Sequence, residues 1–197
     1  EDHQSFDSVI HGDGEEPMVE LTDALANGRP KDGILGLTYR YQGEIRSTGP
    51  RRNLDRIDHR PWPKRPLRFH GYLGKPIANI LSSRGCWGSC AFCSIKAFHK
   101  INGGKRFRLR SVESVADEMA SLHHNRGVRI FNFQDDNFFV HSRLKNLDRY
   151  SRLARELEIR GVEGIAIQAK GRPDCIDDEV IALLKSMGLF RLFLGIE

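Results

Sequence analysis

The chain has 197 residues, 39% hydrophobic and 29% charged, with a formal net charge of +5, the balance of a globular protein with one good core or two small ones. No apolar run approaches the roughly 18 to 20 residues of a membrane span. Four cysteines without a signal-peptide pattern argue against a disulfide-built secreted scaffold, so a reducing, cytoplasmic compartment is expected.

Taken in chain order, Glu15-Glu16-Pro17 places acids and a proline where a helix should start; Met18, Leu21 and Leu25 follow at helical spacing, and Gly28 stands where it should stop. Gly33 to Tyr41, then Gln42-Gly43, then Glu44-Ile45-Arg46 reads as a small β-hairpin. Arg51 to Pro66, with Pro61, Pro63 and Pro66, reads as an extended connector. Most of the excess base lies between Arg40 and Lys75: Arg51, Arg52, Arg56, Arg60, Lys64, Arg65 and Arg68. Such a stretch can contact phosphates, but its bases alternate with prolines, Asp55 and Asp58 and lack aromatic interleaving for base stacking. A solvated connector is expected there, and no nucleic-acid partner.

Beyond the connector the rhythm changes. Ile77 to Leu81 is a short apolar run. Val112, Val115, Met119 and Leu122 form a helical stripe capped by Ser111 and ended before Gly127, and Val128 to Phe133 is a strand. Leu144, Leu147, Leu153 and Leu157 make a helix ended by Gly161, followed by a strand from Val162 to Gln168. Val180, Ile181, Leu184 and Met187 make another, ended by Gly188, followed by a strand from Leu189 to Leu194. Strand–helix repetition four strands deep is an α/β pattern and predicts a parallel sheet with helices outside. Functional loops in such folds follow the carboxyl ends of the strands. Four polar clusters stand there: the cysteine loop, Gln134-Asp135-Asp136-Asn137, Lys170 to Asp174, and Gly195-Ile196-Glu197.

The cysteines are the most specific signal. Cys86, Cys90 and Cys93 lie in Ser83-Arg-Gly-Cys-Trp-Gly-Ser-Cys-Ala-Phe-Cys93, a C-x3-C-x2-C run. Three thiolates in eight residues can each take a different iron of a 4Fe-4S cluster, leaving the fourth iron open. Cys90 and Cys93 alone also fit a dithiol redox pair, which leaves Cys86 unemployed. A zinc site needs a fourth ligand such as His99, without the second ligand pair that zinc ribbons carry. Lys96, His99 and Lys100 otherwise read as helix-surface residues.

The spacing, with Phe92 and the flanking Arg84-Gly85, resembles the signature loop of the radical S-adenosylmethionine (SAM) superfamily. That resemblance implies a partial (β/α) barrel, a 4Fe-4S cluster on Cys86, Cys90 and Cys93, and SAM on the fourth iron. It implies Phe92 near the adenine, or as a shield for the cluster, and Gln134, Asp135 and Asp136 near the SAM amino group, where the family's usual glycines are absent. Asp136 or Asn137 can equally cap the next turn. Arg172 and Glu197 match positions near the SAM carboxylate and ribose, with Asp174 or Asp177 as competing partners for Arg172.

Val9 to Glu16, the helix, the Gly-Leu-Thr-Tyr-Arg hairpin and the Asp55-to-Pro63 connector look like the junction that follows a cobalamin-binding domain in cobalamin-dependent members. Residues 1–75 are thus expected as a small α+β junction and 76–197 as the first half of a radical SAM barrel. Starting without methionine and stopping at a strand end, the chain reads as a piece of a longer polypeptide. Cobalamin is a family expectation only, since no Asp-x-His-x-x-Gly motif is present. By the same resemblance the partners are a small-molecule substrate and a flavodoxin- or ferredoxin-like electron donor. An RNA-modifying methylthiotransferase and a non-enzymatic zinc or redox module are the rival readings.

Overall fold

A computed structural model describes residues 5–66 and 68–196. It contains two compact units, Glu1–Asp55 with Gly88–Arg106, and Arg56–Trp87 with Phe107–Glu197. Among the described residues no helix is long and apolar enough to cross a membrane.

In the first unit, strands β1 (Ser8–Ile10), β2 (Leu37–Tyr41) and β3 (Glu44–Ser47) form an antiparallel sheet in that order, with helices α1 (Glu15–Ala26) and α2 (Ser94–Ile101). The expected hairpin is present. Tyr41 pairs with Glu44, and Gln42 and Gly43 both have positive φ, 50° and 86°, the conformation of a type I′ turn. Leu21 and Ala24 of α1 pack on Ile34, Leu37 and Tyr39. Strand β1, three residues long, is not evident from the sequence; its partner is β2, almost 30 residues on.

Helix α2 exposes Lys96 and Lys100 as expected, but His99 is a correction, being only 8% exposed. Its carbonyl accepts a hydrogen bond from Asn53 Nδ2 at 3.0 Å, so this side of the helix faces inward. Just beyond, the buried Asn102 carboxamide packs on Gly12, where an added Cβ would lie 1.9 Å from Asn102 Nδ2. Asp13 holds the same segment by accepting from the Leu54 amide at 3.0 Å.

In the second unit, β5 (Lys75–Ile80), β8 (Ile130–Phe133), β9 (Ala166–Gly171) and β10 (Leu189–Leu194) make the expected parallel sheet. The short β4 (Gly71–Tyr72) adds antiparallel to β5, giving the order β10-β9-β8-β5-β4. A two-residue ladder joins β6 (Ser83–Arg84) to β7 (Arg108–Leu109). The third parallel strand begins at Ala166 and not at Val162, so Lys170 and Gly171 belong to the strand and not to the loop after it. Gly164, with φ of 61°, turns the chain before it.

Helices α3 (Val112–Arg126), α4 (Arg143–Ile159) and α5 (Asp178–Ser186) connect the strands. Ser111 caps α3 by accepting from the Ser114 amide at 3.2 Å, and Gly127 ends it in the left-handed region, both as read from the sequence. Alternate strand residues Ala78, Ile80, Phe131, Phe133, Ile167 and Ala169 share one buried core with Val115, Met119, Tyr150, Leu153, Val180 and Leu184 of the helices. At roughly 25 cal/mol per Å² of apolar surface, such burial dominates the stability of the unit.

The connector is not the solvated segment the sequence suggests. Ile57 is buried; Asp58 accepts from the Ser111 amide at 2.8 Å, and Arg65 pairs with the buried Glu118 at 2.7 Å. Prolines forbid a helix here but leave an extended chain that side chains can staple down.

The sheet is strongly curved. Arg191 Nη2 on β10 donates to the Tyr72 hydroxyl on β4 at 3.4 Å, and the Tyr72 and Phe190 rings lie 6.3 Å apart. These strands are the two outer members of the sheet, and neighbouring strands sit about 4.8 Å apart. Only a curled sheet lets them meet.

Candidate functional site

The loop after β5 and the loop after β8 are tied together at the carboxyl end of the sheet. Asp135 follows β8 and is completely buried. Its Oδ1 accepts from the Ser82 amide at 3.0 Å and from Ser82 Oγ at 2.9 Å, and Ser83 Oγ donates to the same oxygen. Burial pushes the carboxyl above its ordinary range, and the two serines pull the other way. Asp136 is exposed, and its Oδ2 accepts from the Gly85 amide at 3.1 Å. The two acids therefore grip the backbone immediately before Cys86.

Trp87, the residue after Cys86, is held at both ends. Its Nε1 donates to the Phe139 carbonyl at 3.1 Å, and its ring lies 4.5 Å from that of His141 and 5.0 Å from the Arg172 guanidinium. The loop carrying Phe139 is itself fixed. Asn146 exchanges two hydrogen bonds of 2.9 Å with Val140, and Tyr150 donates to the Phe138 carbonyl at 2.7 Å while stacking on Phe138. Arg149 donates to the carbonyls of Arg110 and Ser82 at 3.0 and 3.2 Å. Burial lowers the pKa of Arg149.

The residues singled out by sequence thus fall into distinct places. Asp135, Asp136 and Arg172 meet the segment around Cys86 and Trp87. Arg172 also takes Asp174 as a bidentate partner at 2.9 and 2.6 Å, one of the two competing acids read from the sequence. Gln134 is exposed at the end of β8, 3.5 Å from Asn79 Oδ1. Phe92 is 69% exposed. Glu197 lies outside the described residues. Asn137 caps the following turn, as one of the two readings from the sequence has it: it is buried, and its Oδ1 accepts from the Phe139 amide two residues on at 3.4 Å. Ser82, Ser83, Trp87, His141, Asn146 and Arg149 were not evident from sequence. Only Trp87 carried a signal, its place inside the cysteine run.

All four cysteines are outside disulfides; Cys86, Cys90 and Cys93 are partly exposed and Cys175 is buried. Three reduced, accessible thiols in eight residues are the donor set that an iron–sulfur cluster requires. Of the basic residues around the connector, Arg51 pairs with Glu16 and Glu20, and Arg65 with Glu118. Their charge is thereby neutralised within the fold.

The family model described as "Radical SAM superfamily" matches residues 80–197. An uncharacterized methyltransferase of Pyrococcus horikoshii is 34% identical over 98% of this chain and 40% of its own length. Among solved structures, the radical SAM methyltransferase TsrM from Kitasatospora setae, with tryptophan and a SAM analogue bound, superposes with a TM-score of 0.71 at 20% identity. The match covers 97% of this chain and 37% of that one. The cobalamin-dependent SAM radical enzyme OxsB, with aqua-cobalamin and SAM bound, gives 0.69 at 18% identity, over 96% and 28%. The chain therefore spans well under half the length of each. With the family model covering more than half of its residues and the same parallel α/β architecture beneath it, the chain belongs to the radical SAM superfamily.

Proposed function

We propose that Cys86, Cys90 and Cys93 hold a 4Fe-4S cluster with one iron left for SAM, within a protein that carries out cobalamin-dependent radical chemistry, methylation above all, on a small molecule. The observation that carries this reading is the grip of Asp135 and Asp136 on Ser82, Ser83 and Gly85. A buried acid is costly unless its hydrogen bonds are made, and here they are made to the segment that leads into the first cysteine. The free protein is thereby preorganised for a ligand at this loop.

When bound, the cluster and SAM supply a 5′-deoxyadenosyl radical able to take hydrogen from an unactivated carbon. The chain's own residues supply position. Asp135 acts as a positioning residue through the serines. Asp136, exposed beside Gly85, retains acceptor capacity for the cationic amine of SAM. Arg172, just after β9, and the Phe139 carbonyl brace Trp87, the residue after Cys86, and Phe92 offers an exposed aromatic face to the adenine. The similarity to OxsB, and to TsrM, of which a structure with cobalamin and a [4Fe-4S] cluster bound also matches, supports cobalamin as a cofactor of the whole protein; no residue of this chain is assigned to it.

The test is anaerobic reconstitution with iron and sulfide, read by bound iron and by absorption near 400 nm. About four irons per chain are expected, and none in Cys86→Ala. Retention of a single zinc ion in place of iron overturns the reading.

A further inference from the structure

The face of the sheet opposite the helices carries a row of polar side chains. Pairing places Asn79, Asn132, Gln168 and Arg191 side by side across all four parallel strands. Asn132 Nδ2 donates to Asn79 Oδ1 at 2.9 Å. Gln168 makes no side-chain hydrogen bond among the described residues. Lys170 lies two residues beyond Gln168 on the same face, nearer the cysteine loop. The Tyr72–Arg191 contact shows this face to be concave, with Tyr72 and Phe190 toward the amino ends of the strands.

Charge decides what fits there. No register position on this face of the parallel strands carries a carboxylate. The Arg191 guanidinium meets Tyr72 and Phe190, and neither it nor Lys170 has an acidic partner among the described residues. Arg191 over the Tyr72 and Phe190 rings, Lys170 two positions farther toward the cysteine loop, and the row of carboxamides between the strands form a surface complementary to an anion attached to a hydrogen-bonding body.

We propose that this concave face is the substrate pocket and that it takes a small molecule bearing a carboxylate or phosphoryl group, held by Arg191 and Lys170, with the row Asn79–Asn132–Gln168 reading its polar groups. The proposal rests on the function argued above and deepens it.

The test uses the full chain, purified anaerobically with its cluster and saturated with SAM. Three probes share one scaffold: phenylacetate, benzylphosphonate and the neutral phenylacetamide, titrated by saturation-transfer NMR. At least one anion is expected to bind about tenfold tighter than the amide, and whichever anion prevails identifies the group. Arg191→Gln and Lys170→Gln are each expected to erase that preference, roughly a tenfold loss, while amide binding stays put. Anions no better than the amide, both variants keeping the preference, or anion binding seen only when SAM is left out would overturn the proposal; the last would assign these cations to the SAM carboxylate. The cluster absorbance of the same samples keeps the two readings apart. A normal spectrum without anion preference removes the pocket alone, and a missing cluster removes the function beneath it.

Discussion

Tyr72 and Arg191, 119 residues apart and on opposite outer strands of one sheet, meet through a 3.4 Å hydrogen bond and a cation–π contact of 5.6 Å to the ring centroid. The contact ties β4 to β10 across the concave face. Partly exposed pairs of this kind contribute about 0.5–1 kcal/mol. Tyr72→Ala should therefore lower unfolding stability by about 1 kcal/mol or somewhat more, and Tyr72→Phe, which keeps the ring, by less than half of that, measured by urea denaturation.

Asp135 is the residue on which the loop before Cys86 depends. Removing its side chain leaves the Ser82 amide and two serine hydroxyls without their acceptor in a dry environment. At roughly 1–3 kcal/mol per orphaned group, Asp135→Ala should cost about 3–5 kcal/mol and lower reconstituted iron. Asp135→Asn retains one acceptor oxygen and should fall between it and the parent on both measures.

In the first unit, Gly12 has φ of 79° and its missing Cβ leaves room for Asn102, whose buried carboxamide has no hydrogen-bond partner among the described residues. Gly12→Ala introduces a clash at 1.9 Å and about 1–2 kcal/mol of backbone strain. A loss of about 2 kcal/mol or more is expected. Adding Asn102→Ala should restore part of it, since the worst clash disappears while the strain and a 3.0 Å approach to Asn53 Oδ1 remain. No restoration in the double variant would show that the two residues act separately.

Cys175 differs from the other three cysteines. Burial pushes its thiol up to about 11, with the nearby Asp174 carboxylate acting in the same direction. At pH 8 about one molecule in a thousand carries the thiolate, against about a quarter for an ordinary thiol of pKa near 8.5. In the native apoprotein, iodoacetamide should label Cys86, Cys90 and Cys93 readily at pH 8 and leave Cys175 unmodified. Reactivity of Cys175 should rise only as the pH approaches 11 or the chain unfolds. Cys175→Ala should bind as much iron as the parent.

Much of the sheet unit was legible because its signals are local. The Ser111 cap, the Gly127 terminus and the apolar alternation of β8 each lie within a few residues of the feature they specify. Val162 and Ile165 imitate the start of β9 because they are apolar for another reason: both pack in or against the core and do not pair in the sheet. The two-residue strands β4, β6 and β7 carry no periodicity to read.

The site divides in the same way. The cysteines and the acid pair announced themselves by spacing, but the inward turn of Asp135 depends on serines more than 50 residues earlier. His99 is buried although its local pattern reads as helix surface, and the helix there is held from far away in the chain, Asn53 Nδ2 donating to the His99 carbonyl. Exposure of a short helix is a tertiary property, which local pattern does not carry.

An iron left open for SAM, beside a loop held by Asp135 and Asp136, has a spectroscopic signature in the electron paramagnetic resonance of the dithionite-reduced, reconstituted full chain. A spin-1/2 signal whose g values shift when SAM is added is expected, and no such signal in Cys86→Ala; a reduced cluster whose spectrum is unchanged by saturating SAM would rule out the open iron.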